Sequence, residues 1–234
     1  MIVELMREVD GVPFRLGRHR IHDPASRDFP ADALIADATR PPTTSVQHTQ
    51  HLPVFDQGKV GSCTANAALG VLQSGSLWEG EFYTEQDAVN LYELETRLDN
   101  HQIPGSYPPD DTGSTGLWSM KALHKLGVIK SYRWAFSTHT VLRLLEQTAV
   151  SVGVPWLNSM FDTAPDGVIV VDQRSGVAGG HQVALVGIDV ARQLVRVRNS
   201  WGTSWGEGGY AWLGWADLNT LLQHGGDAVV PVVA

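Results

Sequence analysis

The hydrophobic pattern of this chain changes period about two thirds of the way along, and that change constrains the fold more than any other feature. From Cys63 onward Ala65, Ala67, Ala68, Val71 and Leu72 recur near helical spacing in a stretch without proline. A second helix is predicted over 85–98, with Val89, Tyr92 and Leu98 as apolar anchors. Ser114 or Thr115 caps a third, in which Leu117, Met120, Leu123 and Leu126 recur and Gly127 ends the run, and Ser137 or Thr138 caps a fourth that continues to Gln147. Beyond that point the apolar residues come in short β-branched runs, 149–154, 181–190, 194–199 and 229–233, bounded by Gly, Asp or Pro. Helices first and strands afterwards predict an α+β protein with a helical lobe over about 55–135 and a β-rich lobe over about 136–234. A chain of 234 residues, 43% of them hydrophobic, is long enough for one large domain or two lobes sharing a core.

Residues 1 to about 50 read differently. Pro13, Pro24, Pro30, Pro41 and Pro42 interrupt any periodic pattern, which predicts an extended arm that docks on the body, 51–234, or on a larger assembly. The basic residues Arg15, Arg18, His19 and Arg20 are followed by Asp23, Arg27 and Asp28, so they are expected to pair locally. Glu4, Arg7 and Glu8 break the apolar run that an export signal needs, and the longest apolar segment, 182–188, is closed by His181 and Asp189. These features predict a soluble, cytoplasmic protein without a membrane partner, with packaging in a larger or viral particle as the other option. A net charge of −8, from 17 basic and 25 acidic residues, argues against a nucleic-acid partner.

Only one cysteine, Cys63, is present, so neither an intramolecular disulfide nor a multi-thiolate metal site can form. It sits in Gln57-Gly58-Lys-Val-Gly61-Ser62-Cys63-Thr64-Ala65-Asn66, at the first turn of the predicted helix. A helix N-terminus carries partial positive charge and free N–H groups, which favour thiolate over thiol. The same amides can hold an oxyanion formed on a carbonyl attacked by that sulfur, and the Gln57 side chain can add a donor. Taken alone, a lone cysteine is more often a small buried hydrophobe.

A thiol nucleophile needs a proton acceptor with a fixed orientation. Of nine histidines, His181 stands out because it follows Gly179-Gly180, which let another chain pass close, and opens the strand His181-Gln-Val-Ala-Leu-Val. In the next strand, two-residue alternation puts Asn199 on the face of Val195 and Val197, with Arg196 and Arg198 on the other, so an amide points inward at the strand end. His181 and Asn199 can then face each other.

Gln57…Gly61-Ser62-Cys63, Gly180-His181 and Asn199-Ser200-Trp201-Gly202-Thr-Ser-Trp205-Gly206, with histidine 118 and asparagine 136 positions after the cysteine, resemble the papain-like cysteine peptidases. The resemblance covers roughly 50–233 and implies a helical lobe facing a β-rich lobe across a cleft, and hydrolysis of peptide or protein substrates without a cofactor. It implies Cys63 as nucleophile, His181 as general base and acid, Asn199 as the group orienting the imidazole, and Trp201 as the indole covering that hydrogen bond. Gln57 and the Cys63 amide are implied as the oxyanion hole. Gly61, Ser62, Gly180 and the loop Asp110-Asp-Thr-Gly113-Ser-Thr-Gly116 are implied along the substrate. Thr64 stands where plant and lysosomal members carry an aromatic, and Lys59-Val60 where they carry a disulfide cysteine, a pattern similar to prokaryotic and viral members. The segment Gly17 to Phe29 resembles a short lead-in that is cleaved, packed on the body or laid in the cleft. Two other readings keep the same residues: a thiol amidase or transpeptidase acting on peptidoglycan stem peptides, and a catalytically silent, peptide-binding component of an assembly. The pairs His19/His22 and His48/His51 lack a third ligand, so no metal is expected.

Overall fold

The computed structural model describes residues 6–9, 12–37 and 39–233. Of the arm, residues 1–5, with Glu4 among them, and 10, 11 and 38 lie outside the described residues, as does Ala234. The arm begins with a hairpin of β1 (Met6–Val9) and β2 (Val12–Arg15), passes through two short 3-10 turns, and adds a two-residue strand, β3 (Val46–Gln47), to the main sheet.

Three helices follow: α1 (Cys63–Leu72), α2 (Glu85–Asp99) and α3 (Gly116–Lys125). Each has a local reason to start where it does. Thr84 and Asp87 form a reciprocal capping box at α2. At α3 the two candidate caps divide their work: Thr115 Oγ1 accepts from the Trp118 N–H, while Ser114 Oγ donates to Asp99 at 2.7 Å. After β4 (Ser131–Trp134), Ser137 caps α4 (Thr138–Leu145) by accepting from the Thr140 N–H.

The remaining elements are β5 (Val150–Leu157), β6 (Val177–Asp189), β7 (Leu194–Arg198), β8 (Tyr210–Gly214), α5 (Trp215–Gln223) and β9 (Asp227–Val232). The sheet runs in the order β4-β9-β5-β6-β7-β8, with β3 paired to β6, and every pairing is antiparallel. One apolar cluster gathers Ala65, Leu69, Leu91, Tyr92, Met120 and Leu123 from α1 to α3, and a larger one joins the sheet to α4 and α5. This is the two-lobe α+β arrangement that the periodicity predicts. Helix α1 bridges the lobes because all ten of its residues are buried, and Gly70 leaves room for Ala184 of β6. No helix among the described residues is long and apolar enough to cross a membrane.

Three expectations need correction. His181 does not open its strand: β6 begins at Val177, since Gly179 and Gly180 pair with Trp156 and Pro155 rather than forming a loop. The strand β8 and helix α5 were not expected, because Tyr-Ala-Trp-Leu-Gly lacks β-branched residues and the helix follows without a break. The pairing of the arm's basic residues is not confined to neighbours in sequence. Arg15 reaches Asp111 at 2.9 Å and Arg18 reaches Asp227 at 2.8 Å, because residues 14–18 are largely buried in the body, where distant carboxylates are within reach.

Candidate active site

Cys63 is the first residue of α1, with Ser62 at the N-cap, and it is completely buried. His181 lies on β6, and the β6/β7 register, Ala184 opposite Arg198, brings the residues just past β7 alongside it. His181 Nε2 is 2.7 Å from Asn199 Oδ1. That oxygen also accepts from the Ser200 N–H at 2.8 Å, so the contact requires a proton on Nε2. The other ring nitrogen, Nδ1, then carries the lone pair; it is buried and has no hydrogen-bond partner. The backbone N–H of Gln182, the residue after His181, favours the Cys63 thiolate, so the start of α1 faces β6 next to His181.

Aromatic rings close around this pair. Trp201 stacks on His181 with ring centroids 4.5 Å apart and 20° between planes, and Phe161 stacks on its other face at 5.5 Å. Trp156 meets both His181 and Trp201 edge-on. The His181–Asn199 hydrogen bond therefore sits in an apolar box, where it is electrostatically stronger than in water. Gln57 is tied to the neighbouring loop: its N–H donates to the Ser200 carbonyl, and Ser200 Oγ donates to its Oε1 at 2.6 Å. Its Nε2 is thereby aimed away from Ser200 and donates to the Val60 carbonyl at 2.9 Å and the Arg15 carbonyl at 3.2 Å.

That last contact belongs to the arm, which lies in the cleft. Trp201 Nε1 also donates to the Arg15 carbonyl, the Gly17 and Arg18 N–H groups donate to the Gly180 carbonyl, the Ser114 N–H donates to the Gly17 carbonyl, and the His19 N–H donates to the Ser114 carbonyl. A Cβ on Gly17 would fall on the Gly61 carbonyl, and one on Gly113 on the Gly17 carbonyl, so the approach is backbone against backbone. Asp111 fastens the crossing by accepting from Arg15, the Gly61 N–H and the Tyr92 hydroxyl.

Burial decides the protonation of the pair. It pushes the Cys63 thiol up to about 12, overriding the Gln182 and Gly17 N–H groups that favour the thiolate. It also pulls the His181 imidazole down to about 4, with the Asn199 hydrogen bond pulling the other way. The thiolate expected from the helix terminus is therefore absent while the arm is seated: a helix end supplies only a partial charge, and complete desolvation of the anion costs more. Alkylation of Cys63 by iodoacetamide in this form should climb about tenfold per pH unit between pH 7 and 10 without levelling off, followed by intact mass. A plateau at neutral pH would mean that a thiolate already exists beneath the arm.

Of the residues singled out from the sequence, Cys63, His181, Asn199, Gln57, Gly61, Gly113, Gly180 and Trp201 converge here. Ser62 Oγ turns to α1, where it accepts from the Asn66 side chain. Gly116 starts α3, and a Cβ there would meet the Gln182 side chain. Asp111 and Ser114 belong to the 110–116 loop that the resemblance implies along the substrate. Trp156 and Phe161 were not anticipated; they carry no motif and reach the site only through the fold.

Comparison with known proteins agrees with this geometry. A family model described as papain family cysteine protease matches residues 115–220. Gamete and mating-type specific protein A of Dictyostelium discoideum is 27% identical over 193 residues, 72% of this chain and 42% of its own length. Cathepsin L 1 of Paramecium tetraurelia is 26% identical over 197 residues, 74% of this chain and 59% of its own length. The chain thus spans less than two thirds of these curated relatives. Xylellain, a cysteine protease from Xylella fastidiosa, superposes with a TM-score of 0.70 at 22% identity, covering 94% of this chain and 96% of that one.

Proposed function

We propose that this chain, which is similar to the papain family cysteine proteases over residues 115–220, hydrolyses peptide bonds through Cys63, His181 and Asn199 by way of a thioester. The observation that carries the reading is the His181–Asn199 hydrogen bond, which leaves Nδ1 as the ring nitrogen with a lone pair to take the Cys63 proton. The Cys63 thiol gives its proton to Nδ1, and the sulfur attacks the substrate carbonyl. The Cys63 N–H and Gln57 Nε2 donate to the oxyanion of the tetrahedral intermediate. His181 returns the proton to the leaving amine as the C–N bond breaks. Water, deprotonated by Nδ1, then cleaves the thioester, freeing the acid and restoring the thiol. Asn199 and Trp201 act by holding the imidazole.

The described conformation is the covered form of this enzyme: segment 15–19 occupies the rails that a substrate strand would use, and it must leave before substrate enters. A thiol that has to stay reduced to act supports a reducing compartment such as the cytoplasm. The reading is tested by treating the full chain with an electrophilic thiol-peptidase probe and mapping the adduct, alongside product analysis on a peptide library. Adduct on Cys63 together with cleaved peptides is the expected result. No cleavage, with Cys63 reacting no faster than in the denatured chain, overturns it and favours a silent, peptide-binding role.

A further inference from the structure

Resting on the peptidase reading above, we propose that the pocket now filled by the Arg18 side chain is a substrate side-chain pocket that selects arginine or lysine, with Asp227 as the specificity residue. Arg18 does more than pass through the cleft. Its N–H is held by the Gly180 carbonyl at 2.9 Å, and it forms an isolated bridge with Ser114, so its backbone lies on the two strands of chain that flank the nucleophile. Its side chain then leaves the cleft floor for a closed pocket. Nη2 donates to Asp227 Oδ2 at 2.8 Å and to the Gly225 carbonyl at 3.1 Å, and the two side chains are only 1% and 8% exposed.

The pocket is shaped for a long cationic group. A Cβ on Gly153 would collide with Arg18 Nε, so the wall there is bare backbone. Gln182 closes one side: its Nε2 donates to Ser151 Oγ, and its Oε1 is buried with no partner. Asp227 Oδ1 is likewise buried and unpartnered. Two acceptor oxygens are therefore unused even with Arg18 in place.

When the arm leaves, Asp227 loses the guanidinium of Arg18. A buried carboxylate facing an apolar side chain would stay uncompensated, whereas an arginine or lysine restores the pair, so discrimination on the order of 100-fold is expected. The Arg18 insertion is thus a template for what the opened cleft accepts.

The test uses the full chain carrying Gly17→Val, in which seating of the arm is disfavoured, assayed on a library that varies each position around the scissile bond. Arginine and lysine should exceed leucine by about 100-fold in kcat/KM at one position. In the same background Asp227→Asn should collapse that ratio below about fivefold, Asp227→Glu should retain it, and Asp227→Lys should turn the preference towards acidic residues. Cleavage without a basic preference, or a preference that Asp227→Asn leaves intact, overturns this inference while leaving the peptidase reading standing. The library profile of Gly17→Val decides the matter even if an Asp227 variant does not fold. No cleavage by any variant, with no probe adduct on Cys63, overturns both.

Discussion

On the proposed reaction, Cys63→Ala should lower peptide hydrolysis by at least about 10⁴-fold while the fold stays intact. The size follows from the residues acting as one unit: without the sulfur the proposed acyl-enzyme cannot form, and what remains is the modest acceleration from binding and oxyanion donors. His181→Ala should cost about as much, and the double variant should be no worse than either single one, because the second substitution removes a partner that no longer has work to do. The fold should tolerate the cysteine change well. Cys63 is completely buried at the start of a helix anchored on both lobes, and the substitution deletes one sulfur atom that burial already holds as the neutral thiol. Thermal unfolding checks the second claim, and hydrolysis of a library peptide checks the first. A Cys63→Ala chain that cleaves as fast as the parent would remove Cys63 from the reaction.

Gly17→Val raises the rate of Cys63 labelling by about 100-fold. The added Cβ would fall on the Gly61 carbonyl, a backbone atom that cannot swing aside, so seating the arm becomes unfavourable by about 3 kcal/mol. Two things change together once it lifts. The cleft opens to the probe, and water returns to a pair whose charged forms are held off by desolvation, so the thiol comes down from about 12 and the imidazole comes up from about 4. The alkylation profile of the variant should accordingly shift to lower pH than that of the parent. Labelling at the parental rate, with the parental profile, would show that the arm does not govern the site. Arg15 and Arg18 form ion pairs that hold the cleft segment of the arm to the body, with Asp111 and Asp227, so their substitution should act in the same direction by smaller amounts.

How much of this was legible in the sequence varies with the range of the interaction responsible. The four helices of the first two thirds and their caps at Thr84, Thr115 and Ser137 are local, each set by a side chain within three residues of the amide it caps. The choice between Ser114 and Thr115 was not local, since it depended on Asp99, fifteen positions away, taking the Ser114 hydroxyl. Strands β6 and β7 were readable from their β-branched runs, whereas β8 exists because β7 lies beside it and Arg196 stacks over Tyr210 and Trp212.

Within the site, residue identity and order along the chain were enough to single out Cys63, His181, Asn199, Gln57 and Trp201, because a nucleophile, a base and an orienting amide need particular side chains whatever surrounds them. Their state was a different matter. Only the tertiary structure decided that the arm lies in the cleft, that Arg15 and Arg18 pair with Asp111 and Asp227, and that thiol and imidazole are both neutral beneath it. The physical reason is that chemical type is carried by each residue, while desolvation and charge pairing depend on which distant parts of the chain meet, and here the partners are 96 and 209 positions apart.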